Sequence, residues 1–327
     1  MPAIQYREAL RQALDEEMAR DDSVIIIGEE VALYNGAYKV TRGLLDKYGD
    51  SRVIDTPISE NSFTGIGLGA AMAGLRPVVE WMTFNFALQA MDQIVNSAAK
   101  IRHMSGGQFT LPVVFRGPTG PAEWLSSQHS QALAAFYAHV PGLKVVSAAT
   151  AADAKGLLKT AIRDNNPVVF MEAELLYNTQ GDVPSGEFLI PLGKADIKRP
   201  GSDVTLITFG RPVLIALAAA KELESLNVNA EVIDLRSLRP LDEKTIIDSV
   251  NKTRRCVVID ESWPVASVGS YVAWLVANRC FDILDAQPEL VASIDVPMPY
   301  NHTLELAVQP SVEKIISAVK KVLYLKE

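Results

Sequence analysis

The chain has 327 residues, 48% of them apolar and 21% charged. That is enough for about two globular cores, and it excludes disorder as the main state. Lys and Arg number 31 against 39 Asp and Glu, a net charge of −8, which argues against nucleic acid as the main partner because phosphates need a basic face. Two cysteines, Cys256 and Cys280, exclude a disulfide framework and suit small buried hydrophobes in a reducing compartment. No apolar run approaches the roughly 20 residues that span a bilayer, so no membrane partner is expected. The stretch Met1-Pro2-Ala3-Ile4-Gln5-Tyr6-Arg7-Glu8 has no apolar signal core, and the expected location is the cytoplasm, or an organelle stroma or matrix.

Apolar periodicity predicts a helix over 6–20, with Ala9, Leu10, Ala13, Leu14 and Met18 on one face, and then a buried strand over 23–27. Five further strands are predicted at 52–55, 77–81, 112–116, 143–146 and 167–171. Helices are expected between them at 64–75, 84–104, 126–138 and 151–164. Continuous apolar strands joined by helices imply a parallel sheet covered on both faces. Residues 172–199 break this rhythm with Asn178, Gly181, Asp182, Pro184, Gly186, Pro191 and Gly193, the composition of a linker. Strands then resume at 204–208, 230–234 and 255–260, with helices at 211–226, 241–251 and 269–277 and a last helix after Pro310. The expected division is a first domain over 1–180, a linker over 181–193 and a second domain over 194–327.

Few motifs carry chemistry. H-E-x-x-H, G-x-x-x-x-G-K-[ST] and G-x-S-x-G are all absent. Gly65-Ile66-Gly67-Leu68-Gly69-Ala70 matches a dinucleotide pattern, but it follows the loop Thr56–Phe63 instead of a strand-to-helix turn. Helix packing through Gly65, Gly69 and Ala73 is the better account. Glu60 follows a strand at the carboxyl end, where open α/β sheets place their crevices. Pro57, Ile58, Phe63, Met82, Phe84 and Phe86 surround it in the sequence, so it is either a desolvated, proton-holding carboxyl or a helix-capping charge. His129, in the polar stretch Ser126–Gln131, suits an acid, a base or an anion contact, or else a surface or capping role. His103, His139 and His302 read as structural, and Lys100, Arg102 and Arg116 as solvated charges.

Several segments together carry a resemblance. They are Gly28-Glu29-Glu30-Val31, the run Gly36–Leu44, Asp55-Thr56-Pro57-Ile58-Ser59-Glu60, Glu80-Trp81-Met82-Thr83-Phe84-Asn85-Phe86, Gln128-His129-Ser130-Gln131, the run Asp153–Leu158 and Asp295-Val296-Pro297-Met298-Pro299-Tyr300. Nearly end to end the chain resembles the beta subunit of the pyruvate dehydrogenase first component. The resemblance implies two doubly wound α/β domains, a transketolase-like pyrimidine-binding domain followed by a transketolase C-terminal domain. It also implies thiamine diphosphate shared with an alpha subunit in an alpha2-beta2 heterotetramer. Oxidative decarboxylation of pyruvate, with the cofactor as electron sink, would acetylate a lipoyl group of the dihydrolipoyl acetyltransferase second component.

By the same resemblance Glu60 bonds the 1′ nitrogen of the aminopyrimidine, Met82, Phe86 and Gln89 line its pocket, and His129 faces the substrate and aids acyl transfer. Potassium would sit on Val113, Ala161, Ile162, Asp164 and Asn166, mostly through carbonyls. Two features depart from the family. The loop before His129, often glycine-rich, reads Pro121-Ala122-Glu123-Trp124-Leu125-Ser126-Ser127, and Ala148 stands where proline is common. The Gly-Asp-Gly…Asn segment that commonly holds diphosphate and magnesium is also absent, as expected of a chain that needs an alpha partner. The alternatives are a branched-chain 2-oxo acid or acetoin enzyme, a non-catalytic assembly subunit and, weakest, a nicotinamide-dependent dehydrogenase.

Overall fold

A computed structural model describes residues 3–326; Met1 and Pro2 of the N-terminal stretch lie outside them. The described backbone divides into two compact units, one of residues 3–119 and 136–192, the other of 120–135 and 193–326. The segment Gly120–Ala135, which carries His129, thus belongs with the C-terminal residues.

In the first unit six parallel strands run in the order Val53–Asp55, Val24–Gly28, Arg76–Glu80, Val114–Thr119, Val168–Ala173 and Lys144–Ser147. Helices Tyr6–Arg20 and Ala151–Arg163 cover one face, burying Tyr6, Leu10, Leu14, Leu157 and Leu158 against Val24, Ile26, Val168 and Phe170. Each helix presents its apolar stripe every three or four residues, and its charges meet at the margin, where Arg163 grips Glu17 at 2.6 Å and Lys159 reaches Glu16 at 2.7 Å. Helix Glu60–Met72 lies on the opposite face. There Gly67, not Gly65 or Gly69, sets the approach: a Cβ at Gly67 would lie 2.7 Å from Val79, whereas one at Gly69 would meet nothing. The small-residue run is a packing surface within this helix, but its contact point differs from the expected one. Ala3–Gln5 pairs antiparallel with Gln180–Asp182.

The second unit has its own sheet, in the order Glu289–Ala292, Cys256–Asp260, Val204–Thr208, Ala230–Asp234 and Asp196–Arg199, with only the last strand antiparallel. Helices Pro212–Leu223 and Val312–Val322 pack on the face of Leu206, Val232 and Val257. Thr205, which points the other way, meets Ser249 and Thr253 of helix Glu243–Thr253 at 2.7 Å each. Cys256 and Cys280 are buried thiols. Among the described residues, no helix is long and apolar enough to cross a membrane.

Two expected helices are not continuous. Residues 84–104 break into Phe84–Ala87, a 3-10 turn Leu88–Ala90, a π-helical stretch Asp92–Ala98 and Ile101–Met104. Residues 126–138 hold only the turn Ser127–His129 and the short helix Ala134–Ala138. The left-handed backbone of Ser126, at φ 67° and ψ −167°, rules out helix at that point.

Arg116 is not a solvated charge; it is 1% exposed. Parallel register sets Glu80 beside it on one neighbouring strand, and Glu172 beside Pro118 on the other. Its guanidinium takes Glu172 in a two-pronged bond at 2.5 Å on each arm and donates its remaining edge to Glu80. Tyr177 Oη donates to Glu172 at 2.8 Å. Burial, joined by repulsion from Glu172 and opposed by Arg116, pushes the Glu80 carboxyl up to about 7. Removing the shared cation would strand Glu172 without compensation. Arg116→Met is therefore expected to lower unfolding stability by about 3–5 kcal/mol in urea titration, and a midpoint within error of the parent would contradict this account.

Candidate active site

The carboxyl ends of three adjacent strands build the site. The edge strand Val53–Asp55 leads through Thr56-Pro57-Ile58-Ser59 into helix Glu60–Met72, so Glu60 is the first helical residue, 3% exposed. The neighbouring strand Val24–Gly28 ends in Glu29, 5% exposed, and the third strand, Arg76–Glu80, runs on to Trp81 and Met82. The loop after Gly28 is pinned locally. Asp55 accepts from the Ala32 and Leu33 amides at 2.7 and 3.0 Å, and Thr41 Oγ1 donates to the Val31 carbonyl at 2.6 Å.

Glu29 and Glu60 are neighbouring carboxyl groups, and Glu60 and the Met82 amide both act on the Glu29 carboxyl. Burial, followed by the charge of Glu60, pushes the Glu29 carboxyl from 4.5 up to about 7. Glu29 Oε1 is buried without a hydrogen-bond partner. Glu29 was legible only as part of a family segment. Its partnership with Glu60 depends on strand order, which places side chains 31 residues apart next to each other.

Where the third strand ends lies an aromatic floor. Trp81 stacks on Phe115 at 5.3 Å and meets Phe84 edge-on at 5.2 Å, and Phe84 meets Tyr137 edge-on at 5.4 Å. Trp81 Nε1 donates to Thr64 Oγ1 at 3.1 Å, tying this floor to the helix that starts at Glu60. Met82 and Phe86 are half-buried, Gln89 is exposed, and Ile58, 82% exposed, takes no part in desolvating Glu60. His129 is exposed in its turn and lies in the other unit.

The carbonyls of Val113, Ala161, Ile162 and Asp164, expected at a potassium site, all have hydrogen-bond donors within the protein. Val113 O accepts the Val168 amide at 2.9 Å and Ala161 O the Asp164 amide at 3.2 Å. Ile162 O and Asp164 O accept Arg76 Nη1 at 3.0 and 3.2 Å. The Asp164 carboxylate takes the Asn166 amide at 2.9 Å and pairs with Lys144. Although burial works the other way, Lys144 and Asn166 hold the Asp164 carboxyl below its ordinary value. Each carbonyl has a second lone pair, so the set retains acceptor capacity for a hard cation, whereas the carboxylate is already neutralised. Among the described residues, no cluster of three or more His, Cys, Asp or Glu side chains could hold a metal ion.

The raised Glu29 pKa has a stability consequence. Between the ordinary carboxylate value of 4.5 and about 7, the folded chain keeps a proton that the unfolded chain has released. Stability therefore falls as pH rises through that window. Glu29→Gln has no proton to lose and should lessen this slope in denaturant titrations at successive pH values, with Glu80 keeping its own share; an unchanged slope would rule out the retained proton on Glu29.

The fold matches two family models: transketolase, pyrimidine-binding domain, over residues 2–180, and transketolase, C-terminal domain, over 193–315. A solved structure titled split gene transketolase, inactive beta4 tetramer, superposes with a TM-score of 0.82 at 23% identity, covering 99% of this chain and all of that one, a likeness of fold alone. The Rickettsia bellii protein named pyruvate dehydrogenase E1 component subunit beta is 56% identical over 323 residues, 99% of each chain. The protein so named from Rhizobium meliloti is 54% identical over 325 residues, 99% of this chain and 71% of that one. The mitochondrial protein of that name from Caenorhabditis elegans is 55% identical over 320 residues, 96% of this chain and 91% of its own. With more than half of its residues shared over nearly its full length, the chain belongs to the family of pyruvate dehydrogenase E1 component beta subunits, built from the two transketolase domains.

Proposed function

We propose that the chain is the beta half of a pyruvate dehydrogenase first component, active with an alpha subunit in oxidative decarboxylation of pyruvate and reductive acetylation of a lipoyl group on the second component. The observation that carries this reading is the buried Glu29–Glu60 carboxyl pair at the carboxyl ends of adjacent parallel strands. The surroundings of Glu29 and Glu60 suit the aminopyrimidine of thiamine diphosphate. They offer a buried carboxyl with a proton within reach, an unpartnered carboxylate oxygen and half-buried Met82 and Phe86 as apolar walls. When bound, that group supplies an electron sink for the carbon–carbon cleavage.

The chain's own part is proton handling. Glu60 would exchange a proton with the ring nitrogen that faces it. Glu29 keeps that carboxyl from being one of two full charges, because like charges this close cannot both ionise in a buried site. The Trp81–Phe84–Phe115 floor keeps water from the inner side, which preserves the exchange. Gln89 is the outermost of the proposed cofactor contacts. His129 is proposed to serve the later transfer to the lipoyl group. Diphosphate and magnesium would be held mainly by the alpha subunit, since this sequence has no Gly-Asp-Gly segment.

The chain alone, supplied with thiamine diphosphate and magnesium, is expected to release no carbon dioxide from pyruvate, and addition of the alpha subunit should start turnover. In that complex Glu60→Gln should slow turnover by about 10²–10⁴-fold, the range of a general acid–base group, while leaving assembly intact. Parent-like turnover by the variant, or robust turnover by the isolated chain, would refute the assignment. Comparing pyruvate with branched-chain 2-oxo acids and acetoin in the same assay separates the sister activities.

Potassium is proposed as a structural ion on the carbonyls of Val113, Ala161, Ile162 and Asp164, with Asn166 beside them. A ligand that binds only the folded state raises its unfolding temperature. Tm in potassium chloride should exceed Tm in sodium chloride of equal ionic strength; equal values would remove the ion from the account.

A further inference from the structure

The segment Gly120–Ala135 is a loop held by the C-terminal residues, and its backbone is strained where its sequence departs from the family. Trp124 and Ser126 have φ of 65° and 67°, and Ser126 combines this with ψ of −167°, a region that is essentially glycine territory. Such a conformation persists only when its surroundings over-determine it. Three contacts do so here. The Trp124 amide donates to Glu305 Oε2 at 2.9 Å, the Trp124 ring meets His302 edge-on at 5.0 Å, and Ser127 Oγ donates to the Met298 carbonyl at 2.9 Å.

Glu305 is the most buried member of this set, 3% exposed, on helix His302–Val308. A polar relay steadies that helix: Gln309 Nε2 donates to the Glu305 carbonyl at 3.0 Å, and Arg211 bonds Gln309 at 2.7 Å and Glu261 at 2.9 Å. The relay also backs the foot of the loop. Gly120, at φ 82°, donates to the Gln131 carbonyl at 3.0 Å, and a Cβ there would stand 2.7 Å from Glu261 Oε1. One polar chain thus supports both the loop's foot and its strained crest, and His129 follows that crest by three residues.

We infer that Glu305 is a positioning residue for His129, fixing the strained Trp124–Ser126 crest so that the histidine is presented from one loop conformation. The consequence for catalysis rests on the role proposed above for His129 in transfer to the lipoyl group. A carboxylate suits the task because a charged acceptor bonds a backbone amide more strongly than a neutral one. Glutamine keeps an acceptor of the same reach, and alanine keeps none.

The test uses the assembled complex with thiamine diphosphate, a free lipoyl domain as acetyl acceptor and, separately, ferricyanide as an artificial electron acceptor. Hydrogen exchange, read by mass spectrometry, follows the amides of 122–129. Glu305→Ala should speed that exchange at least tenfold and slow transfer to the lipoyl domain about tenfold, with ferricyanide-linked carbon dioxide release unchanged. Glu305→Gln should restore both. Adding Ser126→Gly to Glu305→Ala should restore protection, because glycine occupies that φ/ψ without strain. Unchanged exchange in Glu305→Ala, or equal loss of both activities, would overturn the positioning role. His129→Ala is the separate control: if it leaves lipoyl transfer intact, the proposed role of His129 falls, while the exchange data still decide whether Glu305 holds the loop.

Discussion

Parallel pairing is the constraint on which the first unit depends. It brings the carboxyl ends of successive strands to one edge of the sheet, and this sequence places Glu29, Glu80, Arg116 and Glu172 there, with Glu60 one loop beyond. Carboxyl groups so close and so dry cannot all ionise. Two arrangements resolve the conflict. Glu80 and Glu172 share the Arg116 guanidinium, and Glu29, buried beside Glu60, keeps its proton up to about pH 7. The first arrangement is structural and fully paired. The second leaves Glu29 Oε1 buried without a hydrogen-bond partner.

Close backbone approach is the second requirement. At Gly28 a Cβ would stand 2.2 Å from the Glu80 carbonyl, and at Gly117 one would stand 2.7 Å from the Trp81 carbonyl. Only glycine lets these strands lie together at the level where Glu29 and Trp81 leave the sheet. The glycine in Gly28-Glu29-Glu30 is therefore a packing requirement of the site and not a phosphate-binding feature.

The segment Gly120–Ala135 shows how a residue near one unit in sequence can depend on the other for its conformation. It leaves the strand Val114–Thr119 and returns at Phe136, yet its hydrogen bonds run to Met298 and Glu305. Trp124 and Ser126 are residues that disfavour the left-handed region, so this loop conformation is maintained by contacts with residues more than 170 positions away.

Secondary structure was legible wherever apolar periodicity was long and local. Helix Tyr6–Arg20 and strands Val204–Thr208 and Ala230–Asp234 stand where the pattern puts them, because burying one stripe or one run decides their form. Short elements such as Asp196–Arg199 and Glu289–Ala292 were not, because edge strands of four residues carry little pattern. Glu60 was legible as a candidate because its position after a strand is a property of the sequence. Its partner Glu29, the full burial of Arg116 and the tethering of the His129 loop were not, because each depends on which strands lie side by side and which distant helix supplies an acceptor. Periodicity is a local property and determined the elements; desolvation, the coupling of buried charges and loop strain arise between distant segments, and only the tertiary structure decided them.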